Sequence, residues 1–209
     1  MSGAAALHKP WRSLRRERAA ASFGVWIFIG SEAMFFAAVL LAFATYRSLW
    51  PDAFAAAGRE TNVALGTANT ALLLTSSLAM AVGTEAARAG LRRLTLAGLA
   101  ATVALGIGFL AVKGFEYRED IHRHLFPGAG FALPSPQAQI FFAFYWLTTG
   151  VHALHLTIGI GLTGLLLAQA WRGTRPLASP AFEGAGLYWH FVDLVWIFLY
   201  PLLYLGGRA

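Results

Sequence analysis

Glu32 is a carboxylate inside residues 22–46, an apolar stretch with no other charged residue. Such a stretch is long enough to span the hydrocarbon of a bilayer, where an ionised, unpaired acid costs at least ~2.5 kcal/mol. We therefore expect Glu32 to be protonated, paired, or turned toward protein or water. A role in proton access or lipid contact and a purely structural role for a buried acid both stay open.

Four further titratable residues lie in later apolar stretches: His152 and His155, then His190 and Asp193. The members of each pair are three residues apart, so they are neighbours on one helix surface. Counting at ~1.5 Å per residue places all four near the depth of Glu32, which predicts a shared central layer if the helices pack together. Hydrogen bonding between helices, proton transfer, and haem or metal ligation by the histidines are the alternatives.

Five apolar segments are long enough to position these residues across a membrane. Hydrophobic residues make up 57% of the 209, and only 12% are charged, against about 25% in soluble domains. The sequence therefore predicts an all-α polytopic membrane protein. We place one transmembrane domain at 22–209 after a basic segment at 1–21, with helices at about 22–46, 63–87, 92–115, 137–170 and 184–206.

Basic residues concentrate on one side of this topology, in the segment before the first helix and around residues 88–93 and 172–175. The positive-inside rule then places the N-terminus in the cytoplasm and the C-terminus outside. This topology explains the net charge of +6 without a nucleic-acid partner. We read residues 22–46 as a retained span, because no small-residue cleavage site follows it.

The sequence offers little support for catalysis by this chain alone. It has no cysteine, which excludes thiolate metal sites, and it lacks the nucleotide-binding and hydrolase motifs. Asn69 with Ser76, and Thr70 with Ser77, form small polar rows of the kind that mediate helix packing in membranes.

Five blocks of this chain stand out: WIFIGSEAMFF at 26–36, NTALLLTSS at 69–77, FEYRE at 115–119, FYWLTTGVHALHLTIG at 144–159 and YWHFVDLVWIFLY at 188–200. These blocks resemble subunit III of the haem-copper oxidases, especially cytochrome c oxidase, in its five-helix form. They occur in the family's order, and the resemblance as a whole covers essentially everything from about residue 22 to the C-terminus. The long form of the family has two further helices at its start, and the resemblance implies that this chain corresponds to the long form from its third helix onward.

The resemblance implies roles for individual residues. Glu32 matches the membrane-buried glutamate that reacts with carbodiimide in this family, a reaction that requires the protonated acid. Other matched positions are buried polar residues and candidate lipid contacts, namely Asn69, His152, His155, His190 and Asp193. Glu116 and Glu119 match the outer end of the third predicted helix.

The resemblance also implies a function and a setting. The chain would be a non-catalytic subunit of a proton-pumping cytochrome c oxidase in the aerobic respiratory chain, in a bacterial inner membrane. It would support proton uptake, bind structural phospholipids and stabilise subunit I. Haem and copper would reside in the partner subunits, I and II, and the assembled enzyme would reduce O2 to water.

Other functions remain as alternatives at this point. One alternative is the related third subunit of a quinol oxidase, or the homologue associated with nitric oxide reductase, because the shared motifs do not identify the electron donor. A proton-coupled transporter that uses Glu32 and Asp193 is disfavoured, because no internal repeat stands out. A stand-alone haem protein would need two histidines facing one pocket.

Overall fold

Residues 14–208 are described by a computed structural model, with side chains from Phe23 onward. The described chain is helical and contains no strand. The helices are α1 (Leu14–Leu49), α2 (Pro51–Arg59), α3 (Val63–Arg88), α4 (Arg92–His122), α5 (Pro136–Arg172) and α6 (Pro180–Tyr200), and α6 passes into a short π-helical segment, Pro201–Leu205.

Five of these elements are long and apolar enough to cross a membrane, which confirms the predicted five-helix class. The candidate spans are Phe23–Leu49, Val63–Arg88, Arg92–His122, Pro136–Arg172 and Pro180–Leu205. Part of the predicted N-terminal segment, residues 1–13, lies outside the described residues. From Leu14 onward that segment is helical and continuous with the first span.

Two local features differ from the predicted boundaries. Helix α4 extends through His122, beyond the expected end at residue 115, because Glu116 and Asp120 are buried against the bundle rather than solvated in a loop. Helix α2 was not predicted at all. It is a short amphipathic helix that begins at Pro51 and turns Phe54 toward Phe141 of α5, with ring centroids 5.6 Å apart.

Helices α3, α4, α5 and α6 form a four-helix bundle, and α1 packs against α6 from outside this bundle. Glycine allows α3 and α4 to approach each other closely. A β-carbon on Gly98 would lie 2.6 Å from the Cα of Gly83 and 2.8 Å from the carbonyl oxygen of Ala79. Small residues permit such backbone contact between membrane helices.

Large aromatic side chains of α6 fill the centre of the bundle and reach the polar rows of α3. Trp189 donates from Nε1 to the Ser76 hydroxyl at 3.1 Å, and Trp196 donates from Nε1 to the Thr70 hydroxyl at 3.0 Å. Buried indole N–H groups need such acceptors. The small hydroxyls predicted to pack helices therefore serve as acceptors for α6.

We predict that Gly98→Ala destabilises the protein, because the added methyl group meets backbone atoms of α3 that cannot rotate away. The expected loss is about 1–3 kcal/mol, the usual cost of overpacking. Gly108→Ala is the matched control, since its β-carbon would make only ordinary contact with Leu72 at 3.9 Å. Thermal unfolding of the purified protein in detergent measures both, and equal midpoints would contradict the packing argument.

Candidate functional site

Glu32 of α1 is paired with His155 of α5. Its Oε2 atom lies 3.0 Å from Nε2 of His155, and the two side chains are 23% and 14% exposed. Phe36, one turn along α1, covers the imidazole with its ring centroid 5.5 Å away. Glu32 therefore has a hydrogen-bonding partner, and the pair lies between α1 and α5 where both side chains are still partly exposed.

The other nitrogen of His155 determines what this pair can do. Nδ1 lies 2.8 Å from the carbonyl oxygen of Val151. A carbonyl only accepts hydrogen bonds, so Nδ1 carries a hydrogen. Nε2 then either accepts from a protonated Glu32 or donates to an ionised one. Both arrangements have zero net charge, which suits the membrane, and they differ only in the position of one proton.

His152 lies in a different environment although it is on the same helix. It is buried, and its ring centroid is 5.5 Å from that of Phe109 and 5.2 Å from that of Trp196. Neither ring nitrogen has a hydrogen-bond partner among the described residues. His152 therefore faces the core of the bundle, whereas His155 faces α1.

His190 and Asp193 lie on the side of α6 that contacts α3. The Ser77 hydroxyl is 2.7 Å from Nδ1 of His190. Asp193 is buried beside Ser77, but in the described chain neither of its carboxyl oxygens makes a hydrogen bond of good geometry. The amide of Asn69 is likewise buried and unpaired among those residues.

The expected single layer of titratable groups is thus divided among separate places. Glu32 and His155 form one pair between α1 and α5, and His190 joins Ser77 on the opposite side of α6. Within residues 23–208 no three His, Asp or Glu side chains gather as ligands for a metal ion. The position of each residue along its helix predicted which titratable residues could come together. Which of them do come together depends on the direction in which each side of a helix faces.

A second buried polar cluster, centred on Lys113, was missed by the sequence reasoning. The Lys113 ammonium group donates to Oε2 of Glu116 at 3.0 Å, and both side chains are almost completely buried. It also donates to the hydroxyls of Tyr145 at 2.9 Å and Tyr204 at 2.7 Å. One cation therefore connects α4 to α5 and to the π-helical segment after α6.

A second carboxyl group extends this cluster toward the end of the bundle. The Tyr145 hydroxyl lies 3.0 Å from Oε1 of Glu116 and 2.9 Å from Oδ2 of Asp120. Lys113, Glu116 and Asp120 are three and four residues apart, so they share one face of α4. This spacing is the signal that was available in the sequence, whereas Glu119 lies off that face and is only partly buried.

We predict that Lys113→Met strongly destabilises the protein, because Glu116 and Asp120 lose the buried cation that balances them. Removing one partner of a buried ion pair costs about 3–5 kcal/mol. Arg118→Met is the control on the same helix, since Arg118 is exposed. Thermal denaturation of the purified protein should separate the two variants, and equal stability would contradict the role given to Lys113.

Comparisons with known proteins bear on the whole chain. Residues 16–208 match the family model for cytochrome c oxidase subunit III. The cytochrome c oxidase subunit 3 of Bacillus sp. PS3 is 33% identical over 191 residues, which cover 89% of this chain and 86% of that protein. The quinol oxidase subunit 3 of Bacillus subtilis is 31% identical, with 88% and 86% covered.

A third relative joins two subunits in one polypeptide. The heme-copper oxidase subunit I+III of Aeropyrum pernix is 30% identical over 192 residues, which cover 87% of this chain and 22% of that protein. The matches extend over the helices that hold the Glu32 pair and the Lys113 cluster. The chain belongs to the cytochrome c oxidase subunit III family of the haem-copper oxidases.

Proposed function

We propose that this chain is the non-catalytic third subunit of a proton-pumping cytochrome c oxidase in a bacterial inner membrane, with its N-terminus in the cytoplasm. It supports proton uptake by subunit I and stabilises that subunit, in part through bound phospholipid. The observation that carries the proposal is the Glu32–His155 pair, a partly exposed proton site at a depth where side chains are usually apolar.

The pair supports a role in proton access rather than in catalysis. It holds one proton that can lie on either residue without changing the net charge, so proton movement within it needs no counter-ion. It contacts no cluster able to bind a metal within the described residues. A group of this kind can influence how readily protons and lipids approach a neighbouring subunit.

The large apolar surface beside the pair supports lipid binding. Phe35 lies three residues after Glu32 and Ile158 lies three residues after His155, so each is a neighbour of the pair on its helix, and both are about half exposed. Acyl chains can cover these residues, while the paired acid and imidazole satisfy each other. We place an ordered phospholipid at this seam between α1 and α5.

A quinol oxidase has nearly equal support from the relatives. The cytochrome c oxidase subunit 3 is 33% identical to this chain, and the quinol oxidase subunit 3 is 31% identical. Neither the Glu32 pair nor the Lys113 cluster includes a group that identifies the electron donor. The second subunit of the complex identifies the electron donor, because the donor site belongs to that subunit. Copurification with a copper-bearing, cytochrome c-binding subunit would favour our proposal over a quinol oxidase.

The first experiment is purification of the tagged chain from its own membranes in mild detergent, followed by an absorption spectrum and mass spectrometry of the copurifying proteins. We expect a haem-copper subunit I and haem absorption with the complex, and no haem absorption from the chain once it is separated. Recovery of the chain without any haem-copper subunit would overturn the proposed function.

The second experiment labels the assembled oxidase with a hydrophobic carbodiimide. We expect the label at Glu32 and its loss in Glu32→Gln, while assembly survives because the Gln amide can still donate to Nε2 of His155. Turnover should stay close to that of the unmodified protein. Glu119→Gln is the control and should leave labelling unchanged, and persistent labelling of Glu32→Gln at the original rate would contradict the assignment.

A further inference from the structure

Helix α6 exposes one stripe of side chains between the two helices that flank it. Leu194, Ile197 and Phe198 are about half exposed, and His190 is partly exposed on the same stripe. We call these four residues, together with the adjoining walls of α1 and α3, the α6 groove.

The contacts of α6 show that α1 and α3 form opposite walls of this groove. On one side Tyr188 meets Phe28 of α1, with ring centroids 6.0 Å apart, and Phe191 meets Phe36 at 6.4 Å. On the other side Tyr200 lies 2.6 Å from the Thr67 hydroxyl of α3. At 3.6 residues per turn these contacts fall on opposite sides of α6, and the exposed stripe lies between them.

His190 makes this groove unusual for a surface that faces lipid. It lies ten residues after Pro180, or ~15 Å along a span that ends at Leu205. Its Nδ1 is occupied by Ser77, and Nε2 has no hydrogen-bond partner in the described part of the chain. Acyl chains offer no hydrogen bond, and phospholipid head groups lie far from this depth, so the atom needs a protein partner.

The opposite face of the bundle shows the contrast. At comparable depth α4 exposes Ile107, and α5 exposes Leu154 and Ile158. These side chains are entirely apolar and suit contact with lipid. His190 differs from these side chains because one of its ring nitrogens has no hydrogen-bond partner in the described part of the chain.

We propose that the α6 groove receives a transmembrane helix of the haem-copper subunit I, and that this helix provides a hydrogen-bonding group to Nε2 of His190. The proposal rests on the proposed function. Its occupant is supported by the relative in which subunits I and III form one polypeptide, which keeps the two in the same assembly. It is also supported by the polar partner that His190 requires and hydrocarbon cannot supply.

The test places the photoreactive residue benzoylphenylalanine at position 194 or position 107 in the complete oxidase. The native residues, Leu194 and Ile107, are similarly exposed and lie at similar depth, on opposite faces. After irradiation of native membranes we expect a covalent product with subunit I from position 194 and none from position 107. Products with subunit I from position 107 alone, or products from position 194 only with lipid or a second copy of this chain, would overturn the proposal.

Failure of this proposal can be distinguished from failure of the proposed function. If no haem-copper subunit copurifies with the tagged chain, the function itself is wrong. If subunit I copurifies and position 194 does not crosslink to it, only the docking surface is wrong.

The hydrogen bond to His190 has its own test. We expect His190→Leu to lose subunit I during detergent washing, measured as haem per tagged chain, and His190→Gln to retain it, because an amide can still pair across the groove. Equal loss from the Leu and Gln variants, with crosslinking from position 194 preserved, would overturn the part of the proposal that concerns Nε2.

Discussion

The absence of water from the bilayer interior is the constraint on which this structure depends. A polar group in hydrocarbon must find its hydrogen bonds inside the protein, or the segment that carries it is costly to insert. Lys113 shows the consequence most clearly. Its ammonium group reaches Glu116, Tyr145 and Tyr204, so a single buried cation holds together three elements that are distant in sequence. Glu32 follows the same rule with a single partner, His155.

The same constraint separates polar groups that assemble the chain from those that are available to other molecules. The Lys113 cluster is closed and almost completely buried, so its contribution is to the stability of the bundle. The two residues of the Glu32–His155 pair hydrogen-bond to each other but are partly exposed. A proton can move from one of them to the other without a change in the net charge of the pair. Only one ring nitrogen of His190, Nδ1, has a hydrogen-bond partner in the described part of the chain. In the proposed function, the closed cluster stabilises the chain, the Glu32–His155 pair is the proton site, and His190 marks the surface for a partner.

Much of this architecture could be predicted from the sequence, because membrane spans leave a strong compositional signal. The five spans followed from hydropathy and segment length alone. The direction in which each side of a helix faces could not be predicted in this way, because it depends on how α1 packs against α5 and α6. For this reason His152, three residues before His155, faces Phe109 in the core instead of joining Glu32. The Lys113 cluster was missed because a charged stretch next to a Gly/Pro-rich segment is typical of a loop, and only tertiary burial extends α4 through it.

The central claim is that Glu32 and Lys113, two ionisable side chains at membrane depth, are each paired within this chain in a defined way. An electron cryo-microscopy map of the complete oxidase in a lipid nanodisc, at a resolution that shows side chains, tests it most directly. We expect the Glu32 carboxyl group within hydrogen-bonding distance of His155, and the Lys113 ammonium group among Glu116, Tyr145 and Tyr204. A map in which Glu32 turns into the lipid away from His155, or in which Lys113 extends to water, would contradict it.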